Sequence, residues 1–285
     1  EEALIVDLEP YGMPPCLLRK KDDATLYATR DIAAAEYRKK TYNFDKMIYV
    51  VGSEQKLHFK QVFKVLELMG YEWGGHCVHV DFGLMKFKDS KMSTRKGTVV
   101  LLEDLLSEAI ERVKQIIEEK NPLLENKDTV ARDVGIGAII FADLSAKRHK
   151  DVVFDWNEAL NFDGETGPYV QYTHARLCSI LRKYGKAVTT RIDYGLLKED
   201  ETTVLLKSLE QFPSVIVRAS EYYEPSFISN YLIDVCGNLN RFYNTHRVLS
   251  DDEELARARI LLVDATRQVL KNGLKILGIN TPGQM

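Results

Sequence analysis

Residues 89–100 read DSKMSTRKGTVV and set three cations, Lys91, Arg95 and Lys96, within six positions around Ser93, Thr94 and Gly97. Lysine and arginine supply charge-assisted donors, while hydroxyls and a glycine let the backbone approach a ligand. Together they suit a mobile loop that closes on phosphate oxygens. The same charges suit a solvated surface loop, so the surroundings must decide.

Two further places combine residue types that bind small molecules. Tyr27 and Asp31 stand four apart where an extended segment hands over to a helix, and Gln55 follows the next such handover. A carboxylate takes a planar cation in two hydrogen bonds, with a phenol bordering the pocket and an amide adding a contact. Equally, Asp31 or Thr29 caps a helix, Tyr27 is core and Gln55 is a first-turn surface residue. Farther on, Tyr169, Tyr172 and Arg176 fall at i, i+3 and i+7, and Tyr243 and Arg247 at i and i+4. Each set lines one helix face. Such faces stack unpaired bases and hold phosphate, although tyrosines on helices also pack in cores with the hydroxyl at water. His76 and Cys77 would point to opposite sides of a strand, which argues against a shared metal.

The elements that must position these residues alternate over the first hundred positions. ATLYAT (24–29) reads as a strand and RDIAAAEYRKKTYN as a helix. KMIYVVG (46–52) reads as a strand buried on both faces. SEQKLHFKQVFKVLELMG (53–70) is an amphipathic helix with Ser53 as its cap and Gly70 as its stop, and HCVHVDFG (76–83) is a third strand. Strand, helix, strand, helix, strand implies a parallel sheet with right-handed crossovers. Ligands bind such sheets at the carboxyl ends of the strands. Three strands make a small sheet, so earlier strands are expected to precede it.

After the cationic loop, LEDLLSEAIERVKQIIEEK predicts a helix with Leu106, Ala109, Val113, Ile116 and Ile117 on its apolar face. DTVARDVGIGAIIFADLS predicts another, and everything from Thr166 onward reads as helix with short turns. In the last helix, Ser250 and Glu253 have capping-box spacing. Leu255, Ala258, Leu262, Ala265, Val269 and Ile276 form one stripe, and Gly278 is the stop. The expected division is an α/β piece over 1–100, a helical connector over 101–165 and a helical bundle over 166–285.

The chain has 285 residues, 45% hydrophobic and 28% charged, with a net charge of −3. A nucleic-acid partner must therefore be held by a local basic surface. No run is apolar enough to span a bilayer, and EEALIVDLEP does not read as a secretion signal. Four scattered cysteines, without a Cys-x-x-Cys pair, fit reduced thiols in a cytoplasmic protein.

These stretches together resemble one family. KMSTRKG is similar to the second signature loop of class I aminoacyl-tRNA synthetases, usually written KMSKS. LYATRD followed by FDKMIYVVGSEQKLHF resembles arginyl-tRNA synthetases in particular. GETGPYVQYTHARL and LKNGLKILGINTPGQM are similar to the start and end of their DALR-type anticodon-binding domain. The resemblance covers essentially the whole chain. It implies the second half of a Rossmann-type catalytic domain, a helical stem-contact region and a DALR bundle. It implies ATP-dependent attachment of L-arginine to tRNA(Arg) through an arginyl-adenylate.

The resemblance also implies roles. Tyr27, Asp31 and Gln55 would bind arginine, with Asp31 on the guanidinium. His58, Gly83 and Met85 would border ATP. Lys91, Ser93, Arg95 and Lys96 would close on the phosphates, with Mg²⁺ accompanying ATP as the substrate's counter-ion. Tyr169, Tyr172, Arg176, Tyr243, Arg247 and Met285 would face tRNA. A monomer is implied. Two departures stand out. Thr94 occupies the position of the second lysine of KMSKS, with Lys96 two residues later. None of the six histidines (His58, His76, His79, His149, His174 and His246) fits the other signature, HIGH, and the family's N-terminal domain is not recognisable. The expectation is therefore a C-terminal portion that binds tRNA but is inactive in isolation.

Overall fold

The computed structural model describes residues 3–87 and 101–285. The chain divides into two compact units, Glu1–Leu84 with His149–Asp151, and Met85–Arg148 with Val152–Met285.

In the first unit, β1 (Leu4–Val6) and β2 (Cys16–Arg19) pair antiparallel. The expected strand over 24–29 is replaced by α1 (Tyr27–Tyr42), and Thr25 makes only an isolated bridge to Arg19. Ala28, Ile32 and Ala35, at helical spacing, give this alanine-rich stretch a buried face, and burial of that face outweighs the β-branched flanks. β3 (Met47–Gly52) leads through a short 3-10 turn to α2 (Lys56–Leu68) and then β4 (Cys77–Phe82). β3 and β4 are parallel and in register from Met47 opposite Cys77 to Gly52 opposite Phe82. The expected three-stranded parallel sheet is thus two strands, because its first member is helix.

Burial of β3 on both faces is also corrected. Met47 and Tyr49 are buried, whereas Ile48 and Val50 are exposed. Both α1 and α2 share one core with Met47, Tyr49 and Cys77, so only that face is covered. Ser53 does not cap α2. Its hydroxyl is taken by the end of β4, and the intervening 3-10 turn displaces the helix start to Lys56. Gly70 does end the segment, at φ +85°.

The second unit opens with β5 (Met85–Phe87), which pairs parallel with β6 (Val152–Phe154). Between them run α3 (Leu102–Lys120) and α4 (Lys127–Ser145). The buried face of α3 is Leu105, Ala109, Val113 and Ile117, so Leu105 takes the place expected for Leu106. A four-residue α5 (Trp156–Ala159) precedes the bundle of α6 (Gly167–Tyr184), α7 (Asp200–Glu210), α8 (Phe212–Tyr222), α9 (Ser226–Thr245) and α10 (Glu253–Ile276). Leu177, Leu232, Leu239, Phe242, Leu270 and Leu274 are fully buried at its centre.

Thr166 caps α6, accepting from the Tyr169 amide at 3.2 Å, and Pro168 sits in the first turn. In α10 the cap is Asp252, whose carboxylate accepts from the Glu254 and Leu255 amides, while Ser250 accepts only from the Asp252 amide. The expected box is one turn element too early, because a carboxylate nearer the helix outcompetes the hydroxyl. The buried stripe of α10 holds Ala258 and Leu262 as expected, but continues through Thr266, Leu270, Gly273 and Leu274. Ala265 and Ile276 face solvent. Gly278, at φ +78°, closes the helix.

Candidate functional site

The first unit gathers polar groups at the carboxyl ends of β3 and β4 and at the start of α1. Tyr27 is the first residue of α1 and is 78% exposed. Asp31 lies one turn on, where its Oδ2 stands 2.6 Å from His58 Nε2 in the first turn of α2. α1 is held to β2 by the Thr29 hydroxyl, which donates to the Leu18 carbonyl. The reading of Thr29 as a cap is thereby corrected, since α1 starts at Tyr27 and Leu26 holds the cap position without a side-chain bond. The His58 ring meets the neighbouring Phe59 ring edge-on at 5.1 Å. Phe59 packs on Tyr49 at 4.8 Å and on His79 at 4.6 Å, and the His79 ring bonds the Val51 carbonyl at 2.9 Å. Gln55 ends the 3-10 turn before α2 and is exposed. The structure therefore brings Asp31 and His58 into contact and leaves Tyr27 and Gln55 as surface groups on the elements that carry them.

Sequence reasoning missed the cluster beside it. Asp81 is 8% exposed near the end of β4. Its Oδ2 accepts from Ser53 Oγ at 2.9 Å and from Lys56 Nζ at 2.8 Å, and Ser53 Oγ also lies 2.9 Å from the Phe82 carbonyl. This ties the end of β4 to the turn that leads from β3 into α2. The signal was an acid inside an apolar strand, which burial permits only with partners.

Gly83 follows directly. A Cβ there would stand 2.3 Å from the Lys150 carbonyl oxygen, and the neighbouring Leu84 amide donates to Asp151 Oδ1 at 2.9 Å. Gly83 thus lets the backbone at Lys150 and Asp151 approach more closely than a side chain would permit. Met85 belongs to the second unit, in β5, packed against the cluster of Leu105, Ile139 and Phe154. Lys91, Ser93, Arg95 and Lys96 lie outside the described residues.

In the second unit α6 and α9 meet through a polar network. Asn240 Nδ2 donates to Tyr169 Oη at 2.7 Å, and Arg176 donates to Asn240 Oδ1. The Arg176 guanidinium lies over the Tyr243 ring, 4.8 Å from its centroid. Tyr169 is half-buried and packs on the core, while Tyr172 is 46% and Tyr243 38% exposed. Arg247 is exposed and pairs with Asp251 at 3.4 Å. Met285 is half-buried against α3 and α4, in the cluster of Val113, Ile117 and Val130, and its carbonyl accepts from Asn121 at 3.4 Å. The structure thus joins Tyr169 to Arg176 through Asn240, and Arg176 to Tyr243 through its ring face. Arg247 is held in its own ion pair, and Met285 in the packing on α3 and α4.

The tail beyond α10 is stitched down by side chains that carried no sequence signal. Gln171 donates to the Asn280 carbonyl at 2.8 Å, Arg182 to the Gly283 carbonyl at 2.9 Å, and His174 Nδ1 lies 3.1 Å from the Pro282 carbonyl. Burial, reinforced by the nearby charges of Arg267 and Lys271, holds His174 below the usual imidazole range despite that bond.

Comparison with known proteins fits this geometry. The family model described as tRNA synthetases class I (R), catalytic domain, matches residues 1–156, and that of the DALR anticodon binding domain matches 170–285. A catalytic-domain match over a parallel βαβ unit, followed by a DALR bundle, defines a class I aminoacyl-tRNA synthetase architecture. Within that class, the chain belongs to the arginyl-tRNA synthetase family, as a C-terminal portion. It is 56% identical over 284 residues to the arginine–tRNA ligase of Clostridium beijerinckii and 54% identical over 283 residues to that of Alkaliphilus metalliredigens. Each match takes in 99% of this chain and 50% of the relative, so the chain spans about half the length of the curated relatives it matches. All of the chain superposes on 54% of the Thermus thermophilus arginyl-tRNA synthetase chain, with a TM-score of 0.88 and 29% identity. The Plasmodium falciparum enzyme, at 24% identity and a TM-score of 0.84, shares the fold over all of this chain and 49% of its own.

Proposed function

We propose that this chain is the part of an arginine–tRNA ligase that binds the arginine side chain, closes over ATP and holds tRNA(Arg). The observation that carries this reading is the succession, in one chain, of the arginine-type class I catalytic match and the DALR match. Residues 1–100 are the second half of the Rossmann-type domain, 101–165 the stem-contact region and 166–285 the anticodon-binding bundle.

The chemistry divides among named groups. Asp31 accepts the substrate guanidinium in a bidentate pair, with Tyr27 and Gln55 at the edges of the pocket. His58, next to Asp31, and the peptide groups of Gly83 and Met85 border ATP. The arginine carboxylate attacks the α-phosphorus, forming the mixed anhydride arginyl-adenylate and expelling pyrophosphate. Lys91, Ser93, Arg95 and Lys96 stabilise the charge that builds on the phosphates, and Mg²⁺ enters with ATP. A hydroxyl of the terminal ribose of tRNA then attacks the activated carbonyl, and AMP leaves. Tyr169, Tyr172, Arg176, Tyr243, Arg247 and Met285 contact the tRNA. The enzyme acts in the cytoplasm as a monomer.

A second reading is favoured by the half-length coverage. Alone, the 285-residue chain binds tRNA without charging it, because the parts of a preorganised site act as a unit. One experiment tests both. Charging of tRNA(Arg) with labelled arginine and ATP is measured for the chain alone and with the other half of the Clostridium beijerinckii relative supplied in trans, beside a gel shift. Binding alone, with charging in the mixture, is expected. Failure to bind tRNA and to charge it in either format refutes the assignment.

A further inference from the structure

Asn240 joins two of the residues assigned to tRNA, Tyr169 and Arg176, and the order of its hydrogen bonds is not free. A guanidinium can only donate, so the amide oxygen must face Arg176 and the amide nitrogen must face Tyr169. A phenol oxygen that accepts from this nitrogen keeps its own hydrogen for another partner. The rings of Tyr172, one turn along α6, and of Tyr243, under the Arg176 guanidinium, offer exposed stacking surfaces beside that donor. We propose that Asn240, oriented by Arg176, is a positioning residue that turns the Tyr169 hydroxyl away from the protein as a donor to a carbonyl oxygen or ring nitrogen of an unpaired RNA base. Burial raises the Tyr169 phenol above its ordinary range, so the hydrogen is present at neutral pH.

The proposal rests on the tRNA-binding reading above, and the two fail in different ways. Affinity for labelled tRNA(Arg) is measured by fluorescence anisotropy for the 285-residue chain, Tyr169→Phe, Asn240→Asp and the double variant. An aspartate still pairs with Arg176, but it accepts at both oxygens and draws the Tyr169 hydrogen inward. Each single variant should bind about tenfold more weakly, as for one lost hydrogen bond. The double variant should be within about threefold of either single, because both remove the same donor. Asn240→Gln, which keeps the order of acceptor and donor, should bind within about threefold of the parent chain, a recovery that loss of packing would not produce. Should Asn240→Asp melt early, the Tyr169→Phe and Asn240→Gln arms decide in its place, with loss in the first and retention in the second expected. Wild-type affinity in Tyr169→Phe overturns the proposal, as does an Asn240→Asp loss that is undiminished in the Tyr169→Phe background. A parent chain that does not bind tRNA overturns the underlying reading instead, and this proposal with it.

Discussion

His58 Nε2 lies 2.6 Å from Asp31 Oδ2, so the two helices that start beside the strand ends of the first unit are joined through the carboxylate assigned to arginine. Both side chains are partly open to solvent. Asp31→Ala should therefore act on recognition more than on stability. Arginine affinity, read by calorimetry on the chain mixed with the other half of a relative, should fall about 100-fold or more. The melting temperature should move by no more than about 2 °C. Near-normal affinity would leave the His58 contact as a tie between helices and remove Asp31 from the site.

Tyr172 is nearly half exposed on α6, so it is not a core residue. Tyr172→Ala should weaken tRNA binding by ~1–3 kcal/mol, the range of a lost base stack, with an unchanged melting curve. Binding by the parent chain should weaken steeply as salt rises, since phosphate contacts release counter-ions. A salt-independent affinity would count against a tRNA role.

Gly83 is closed in by the backbone at Lys150 and Asp151, which has no side-chain end to move aside. Gly83→Ala should destabilise the first unit by about 1–3 kcal/mol or more, as overpacking does. Thermal denaturation followed by tryptophan fluorescence at Trp73, which lies in that unit, reads this directly. An unshifted transition would mean that the 149–151 segment yields freely.

His174 is held neutral by burial under the tail, with Arg267 and Lys271 opposing its protonation. Its folded-state pKa lies below the unfolded value, so the unfolded chain binds more protons in the window between them and stability falls with falling pH there. The loss should begin below about pH 6.5 and level off once the folded-state value is passed. Melting temperatures from pH 8 to pH 5 should show a smaller decline in His174→Gln than in the parent chain. Parallel declines would assign the acid sensitivity to other groups.

Local pattern was enough for much of this chain. The β3–α2–β4 succession, the two helices after the cationic loop, the helical bundle and the stop at Gly278 follow from hydrophobic period and from residues with special backbone preferences. The order of motifs was enough for the family. Errors arose where neighbours distant in sequence compete. The 24–29 segment has strand-like residues, but the core it meets accepts an alanine face. Ser53 has a cap's chemistry, but Asp81, 28 residues on, takes its hydroxyl. Ser250 has a box's spacing, but Asp252 is nearer the free amides.

The sequence by itself determined which residue types were available to bind a guanidinium, phosphate and bases, and in what order they occur. Only the tertiary structure decided their company. It set His58 against Asp31, placed Asn240 between Tyr169 and Arg176, and tied the last seven residues to α3, α4 and α6 through Asn121, Asp133, Gln171, His174 and Arg182. The reason is physical. Helical and strand periods are written in nearest neighbours, whereas these hydrogen bonds pair groups tens of residues apart, and only a folded chain brings such groups within bonding distance.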